Sequence, residues 1–227
     1  MNEQTKTSLI KWLLVALLCF AVGALTALWN NHRPFSKEQR LIIRQSDSVM
    51  YVTTWPEDSA VLRTPCSDLT KAELKSRDLK TLTAKMLKTL RSPQHDGVGI
   101  AAPQVGINRR VVWVQRLDKE GEPFECYENI RIDSLFGETV LLEEGCLSVP
   151  PLRGRVPRYN GVKISYLSNG QKVTETVEGY TARIFQHECD HLDGILYIDR
   201  ADTVFTHTSW AATRSAFDYT RPEVMNK

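Results

Sequence analysis

The sequence predicts an α+β domain of short, mostly antiparallel strands packed around a central helix carrying an HExxH pattern, preceded by a single N-terminal membrane segment. Three observations lead there. The middle of the chain holds strand-like runs, "RRVVWVQ" (Arg109 to Gln115) and "GVKISYL" (Gly161 to Leu167). The second is followed by "SNGQ", an Asn-Gly hairpin turn leading into "KVTETVEG". Further on, "QHECDHLDG" (Gln186 to Gly194) sets His187 and His191 four residues apart, which on a helix places both imidazoles on one face. Near the start, "WLLVALLCFAVGALTALW" (Trp12 to Trp29) runs without a charge.

That apolar run is bounded by Lys11 and by Asn30 and Asn31. As a helix it reaches roughly 27 Å, close to the roughly 30 Å of a hydrocarbon core. Tryptophan at both ends fits an interfacial belt. A cleavable signal peptide is the competing reading, with Lys6 and Lys11 as its basic region and Ala21, Val22 and Gly23 as small residues at a cleavage point. The run exceeds a usual signal core, so residues 1–30 are read as an uncleaved anchor or signal-like segment. Arg33, Lys37, Arg40 and Arg44 outnumber Lys6 and Lys11, which favours the domain on the cytoplasmic side; the signal-like amino terminus leaves export open.

The rest has globular composition: 227 residues, 42% hydrophobic, 25% charged, net charge +2. This is one catalytic-sized domain with an appendage. Acids and bases are interspersed, without the basic stripe of a dedicated nucleic-acid binder, so no sequence-specific nucleic-acid binding is expected. Cys19, Cys66, Cys126, Cys146 and Cys189 are odd in number and scattered, which argues against a disulfide framework.

Residues 31–49 are polar and read as a linker with one short helix; the folded domain is expected over residues 50–200, followed by a tail at 201–227. Thr70 and Glu73 fit a capping box, and Leu79, Leu82, Met86 and Leu90 recur at helical spacing, so one helix with a buried face is expected there. Two stretches are too rich in glycine and polar groups to be plain connections. In "GVGIAAPQVG" (Gly97 to Gly106), Gly97 and Gly99 allow a close backbone approach and Gln104 offers an amide donor. No GK[ST] follows, so it is not a phosphate loop. In "EEGCLSVP" (Glu143 to Pro150), Cys146 as a thiolate completes a Cys/His/His set with His187 and His191, leaving a fourth position open as catalytic sites do. A buried structural cysteine is the plain alternative. Glu188 follows the first histidine, where a carboxylate handles protons beside an ion without ligating it.

Together the stretches "GVGIAAPQ", "EGCLS" and "QHECDH" resemble, in order, the GxGxAAxQ, EGCLS and QHExDH motifs of the peptide deformylase family. The resemblance spans about Met50 to Arg200, including "DSAVLRTP" and "HLDGILYIDR". It departs at "YENIRI", where Ile130 stands in place of a usual proline, and in the N-terminal apolar run. What it implies is a hydrolase that removes the formyl group from the N-terminal methionine of new polypeptides, releasing formate. The implied metal ligands are Cys146, His187 and His191, the implied acid and base is Glu188, and Gln104 with the Leu147 N–H forms the implied oxyanion hole. Val98, Gly99, Glu144 and Gly145 are expected along the bound peptide, read by strand addition, and Arg153 near the entrance. The implied cofactor is Fe(2+), with zinc or another divalent ion as a substitute; the expected partners are N-formylmethionyl peptides, nascent chains and, through the N-terminal segment, a lipid bilayer. Two rival readings are a zinc endopeptidase, from HExxH alone, and a membrane-held, non-catalytic peptide-binding paralogue.

Overall fold

The computed structural model describes residues 35–95 and 97–206; within the apolar run only Trp12 and Val15 are placed, both helical and exposed. Apart from those two residues, the predicted membrane segment lies outside the described residues, as do residues 207–227 of the tail. Among the described residues no helix is long and apolar enough to cross a membrane.

In chain order the elements are α1 (Lys37–Ile43), α2 (Ser59–Leu62), α3 (Lys71–Leu74), α4 (Arg77–Leu90), β1 (Gly99–Ala101), β2 (Val111–Gln115), β3 (Phe124–Gly145), β4 (Leu152–Ser168), β5 (Gln171–Glu178), α5 (Gly179–Leu192) and β6 (Thr203–Thr206). The strands form one antiparallel sheet in the order β1-β2-β3-β4-β5, with β6 pairing β4. The α+β class and the antiparallel arrangement are as expected. Four of the six strands are short, as expected, but β3 has 22 residues and β4 has 17. Irregularities between Glu128/Arg131, Ile132/Ser134 and Phe136/Thr139 bend one continuous ladder, so turn-like residues inside it look like strand ends when read locally. Asn129, beside Ile130, is one of them. It takes a positive φ of 51°, and its amide both accepts from the Leu69 N–H (2.6 Å) and donates to the Leu69 carbonyl (3.0 Å). The absent proline thus leaves a bulge held by an asparagine, with Ile130 buried.

Period-2 alternation divides the core. Ile100, Val111 and Trp113 face one way, onto Leu79, Leu82, Met86 and Leu90 of α4. Ala101, Val112 and Val114 face the other way, onto Ala182, Phe185, Cys189 and Leu192 of α5. Each such aliphatic side chain contributes roughly 1.5–3 kcal/mol when fully buried, so both helices are clamped to opposite faces of β1 and β2. The Asn-Gly turn between β4 and β5 appears as read, with positive φ at Asn169 and Gly170.

Three boundaries need correction. Residues 31–49 are not simply a linker, because Phe35 and Ile43 are buried in the α4 core and Ser36 caps α1 with a capping box. Two apolar anchors in a polar segment suffice to dock it, and composition averages them away. The Thr70–Glu73 capping box exists but starts the separate α3; α4 has its own cap, Ser76, whose Oγ accepts from the Leu79 N–H. The domain also extends past residue 200, since β6 pairs with Leu152 to Arg155 of β4.

Candidate metal centre and active site

Helix α5 enters from β5 at Gly179, whose φ of 68° makes the turn, and runs without a break through the histidines. Eleven of its side chains are buried, including His191, Glu188 and Asp190, so this polar sequence forms the central helix and not a solvated one. The loop after β3 brings Cys146 against it. Cys146 Sγ stands 3.1 Å from His191 Nε2, and one donor atom each from Cys146, His187 and His191 fall within 4.8 Å of one another. The three residues predicted as metal ligands are therefore assembled from two elements 41 residues apart in sequence (187 minus 146).

The donor set and its surroundings fit a divalent ion. His187 Nδ1–H donates to Glu144 Oε2 at 2.9 Å, which orients the ring and leaves Nε2 for the centre. Burial opposes ionisation of Glu144, but hydrogen bonds from His187 and Arg158 outweigh it and hold the carboxyl well below its usual range. Burial also opposes the His187 cation, yet hydrogen bonds with Cys146 and Glu144 hold its pKa well above that of a free imidazole. His191 moves the opposite way, through burial and then the charge of His187. A thiol and two imidazoles of unlike proton affinity form a soft, converging pocket of ligands.

Glu188 is buried beside this cluster, with Oε2 lacking a hydrogen-bond partner. Burial raises its pKa to about 7, with His187 opposing and Glu144 reinforcing the shift. It occupies the space left by Gly99, where a Cβ would stand 2.8 Å from the Glu188 Cδ and nearer still to Oε1. Gln104 sits in the short helical turn after β1. Its Oε1 accepts from the Ala101 N–H (2.8 Å), which turns Nε2 toward Cys146 Sγ (3.4 Å) and Ser148 Oγ (3.2 Å). Leu147 follows the cysteine and packs toward the α4 core.

Among the expected peptide contacts, the structure separates side chain from main chain. The Val98 carbonyl accepts from the Gln115 N–H (2.7 Å), so by antiparallel alternation the Gly99 main-chain groups face the outer edge of β1. The Glu144 side chain is not a surface contact. It is buried and binds Arg158 through two hydrogen bonds of 2.9 Å, Arg183 at 2.6 Å, and His187. Gly145 pairs with Arg153 across β3 and β4, and the Arg153 guanidinium packs over Gly145, with Nε buried and unpartnered.

Residues not singled out from sequence complete the site. Arg158 also donates to Asp190 (2.5 Å), which in turn binds Arg200 through two bonds of 2.7 Å. Tyr197 stacks on His187 with centroids 6.1 Å apart. Burial alternation along β4 puts Gly154, Val156 and Arg158 on one inward face, so an arginine in phase with core residues was the available signal.

Residues 49–206 match the family described as polypeptide deformylase. This chain belongs to that family. It is 38% identical over 159 residues to the peptide deformylase of Desulforudis audaxviator, covering 70% of this chain and 97% of the relative. A peptide deformylase of Leptospira biflexa is 38% identical over 148 residues, covering 62% and 82%. Among solved structures, a class I type b peptide deformylase from Acinetobacter baumannii with Met-Ala-Ser bound is similar at 39% identity and TM-score 0.60, covering 67% of this chain and 98% of that one. A peptide deformylase from Synechococcus elongatus in complex with actinonin is similar at 32% identity and TM-score 0.62, covering 70% and 84%. As a deformylase, the chain is a metal-dependent hydrolase that removes the N-formyl group of nascent peptides. Deformylase membership also favours that reaction over the endopeptidase reading, which rests on HExxH alone.

Proposed function

We propose that Cys146, His187 and His191 hold one divalent ion and that Glu188, Gln104 and the Leu147 N–H carry out deformylation beside it. The observation that carries this reading is the convergence of the three donors within 4.8 Å, next to a buried Glu188 oxygen with no partner. A thiolate with two imidazoles suits zinc and ferrous iron alike; ferrous iron is the choice the family resemblance implies. When bound, the ion supplies Lewis acidity and lowers the pKa of water. Glu188 takes the proton released as water adds to the formyl carbon and passes it to the departing amine. Gln104 Nε2 and the Leu147 N–H donate to the formyl oxygen as negative charge develops there. The balance is water plus formyl amide giving formate and a free methionyl amine. The outward main-chain groups of Gly99 and the Glu144–Gly145 end of β3 pair with the peptide by strand addition, with Val98 alongside and Arg153 at the entrance.

The same proposal assigns Trp12 to Trp29 as a tether to a bilayer, with the catalytic domain on the cytoplasmic side. Its support is the uncharged run and the excess of basic residues after it. Formate release from a formyl-Met peptide by anaerobically purified protein, with metal analysis of the same sample, tests the chemistry. The expected result is turnover with about one iron per chain. Metal-loaded protein that releases no formate but cleaves unformylated casein would replace it with the endopeptidase reading. Protease added to intact spheroplasts tests the side, since digestion of the domain would rule out the cytoplasmic placement.

A further inference from the structure

We infer that the exposed basic face of α3 and α4 rests on an anionic lipid surface beside the tether, a reading that builds on the membrane placement proposed above. Between Lys71 and Arg91 the chain carries seven basic residues and two acids, Glu73 and Asp78. Both acids are already neutralised by arginines from elsewhere: Glu73 is buried against Arg109 (3.0 Å), and Asp78 binds Arg44 of α1 through two bonds of 2.7 and 2.9 Å. Among the described residues no ion pair joins Lys71, Lys75, Arg77, Lys80 or Lys88 to an acid, and all five are exposed. The interspersed charges of the linear sequence thus sort into a one-sign face.

Helical geometry makes that face continuous. Arg77, Lys80, Ala84, Lys88 and Arg91 fall at spacings of 3, 4, 4 and 3, one stripe opposite the buried Leu79, Leu82, Met86 and Leu90. Helix α1 lies along its flank, joined through Arg44 to Asp78 and through the Lys85 ammonium to the Gln45 carbonyl. The exposed side of α1 presents Lys37, Glu38, the Asp78-paired Arg44 and the apolar Leu41, 63% exposed. The apolar run ends at Trp29, eight residues before Lys37 (37 minus 29), a span of at most roughly 28 Å when fully extended. A chain anchored at Trp29 therefore holds α1 and the stripe near the headgroups, and several basic residues there attract an anionic leaflet, with about a five-fold gain in affinity for each. Short reach, an unpaired basic stripe on α3 and α4 and an apolar residue at the edge favour lipid over nucleic acid as the occupant.

The test uses the full chain on vesicles of phosphatidylcholine alone and with about one third phosphatidylglycerol. Lysines are acetylated in brief pulses and read by mass spectrometry. Lys71, Lys75, Lys80 and Lys88 should label several-fold more slowly on the anionic vesicles, with the difference lost in high salt. Lys163 and Lys172, exposed on β4 and β5, should not change. The double variant Lys80→Glu, Lys88→Glu, altered only at exposed positions, should lose the protection of Lys71 and Lys75. Equal labelling on both vesicle types would overturn the inference, as would protection by RNA with none by anionic lipid. Sedimentation separates the two readings: a chain that fails to pellet with neutral vesicles has lost the tether, whereas one that pellets with both but shows no protection has kept the tether and lost the surface.

Discussion

The Glu188 carboxylate lies where the side chain of residue 99 would be, and only glycine at that position admits it. Gly99 belongs to β1 and Glu188 to α5, so the contact also fixes how the central helix seats against the edge strand. Gly99→Ala should therefore fold and keep its metal while displacing the carboxylate. The expected loss in kcat is on the order of 10²-fold, measured by formate release with metal content in parallel. Full activity in that variant would show that Glu188 has room to act from another position.

Cys146→Ala and Glu188→Ala should differ in kind. Removing a thiolate from a set of three protein ligands collapses metal occupancy, whereas removing a carboxylate that only moves protons leaves the metal bound and abolishes most turnover. Elemental analysis of both variants after dialysis checks this. Stoichiometric metal in Cys146→Ala, or an empty Glu188→Ala, would show the roles to be wrongly divided.

Arg158 joins Glu144 to Asp190 in the interior. Arg158→Met removes the link between two buried carboxylates, leaving Glu144 to Arg183 and His187, and Asp190 to Arg200. Breaking such a buried pair costs up to about 3–5 kcal/mol and should lower the denaturant midpoint. Arg158→Lys should recover little, because an ammonium cannot span both carboxylates as the guanidinium fork does. A midpoint unchanged in the methionine variant would mean that Arg183 and Arg200 carry the network alone.

The start of the domain sets the boundary for a soluble enzyme. Deletion of residues 1–34 keeps Phe35 and Ile43 and should leave turnover on short formyl peptides unchanged. Deletion of residues 1–45 removes both core side chains and the Arg44–Asp78 pair. Losses of about 2–5 kcal/mol per large apolar side chain predict a lower midpoint or aggregation for the longer deletion. Equal thermal stability of the two truncations would show that α1 docks without stabilising.

Much of the candidate site is legible in the sequence, because its groups are rare residue types in tight local patterns. His187 and His191 stand out by helical spacing, Glu188 by its place after the first histidine and Cys146 as a candidate in its glycine-containing loop, their roles being implied by the family resemblance. The Asn169-Gly170 hairpin follows from turn chemistry. The paired helices α1 and α4 illustrate the opposite case: composition makes residues 31–49 a linker, and burial of Phe35 and Ile43 makes part of it core. Strand length was equally hidden, since bulges at Asn129 and beyond interrupt the pattern without interrupting the ladder.

Residue identity and local spacing suffice to pick out the candidate metal-binding and proton-handling groups, since ligand type and proton affinity belong to side chains. How those groups are held is a matter of tertiary packing. The Glu144 main chain is expected along the peptide, whereas its side chain, on which the sequence is silent, is the buried acceptor for His187, with Arg158 and Asp190 behind it. Gly99 reads as a flexible position and proves to be the space for Glu188. These relationships join residues 14 to 89 positions apart (Glu144 to Arg158, Gly99 to Glu188). No local period records such pairs, because they exist only where packing brings separate elements within a few ångströms and burial makes each unpaired charge costly.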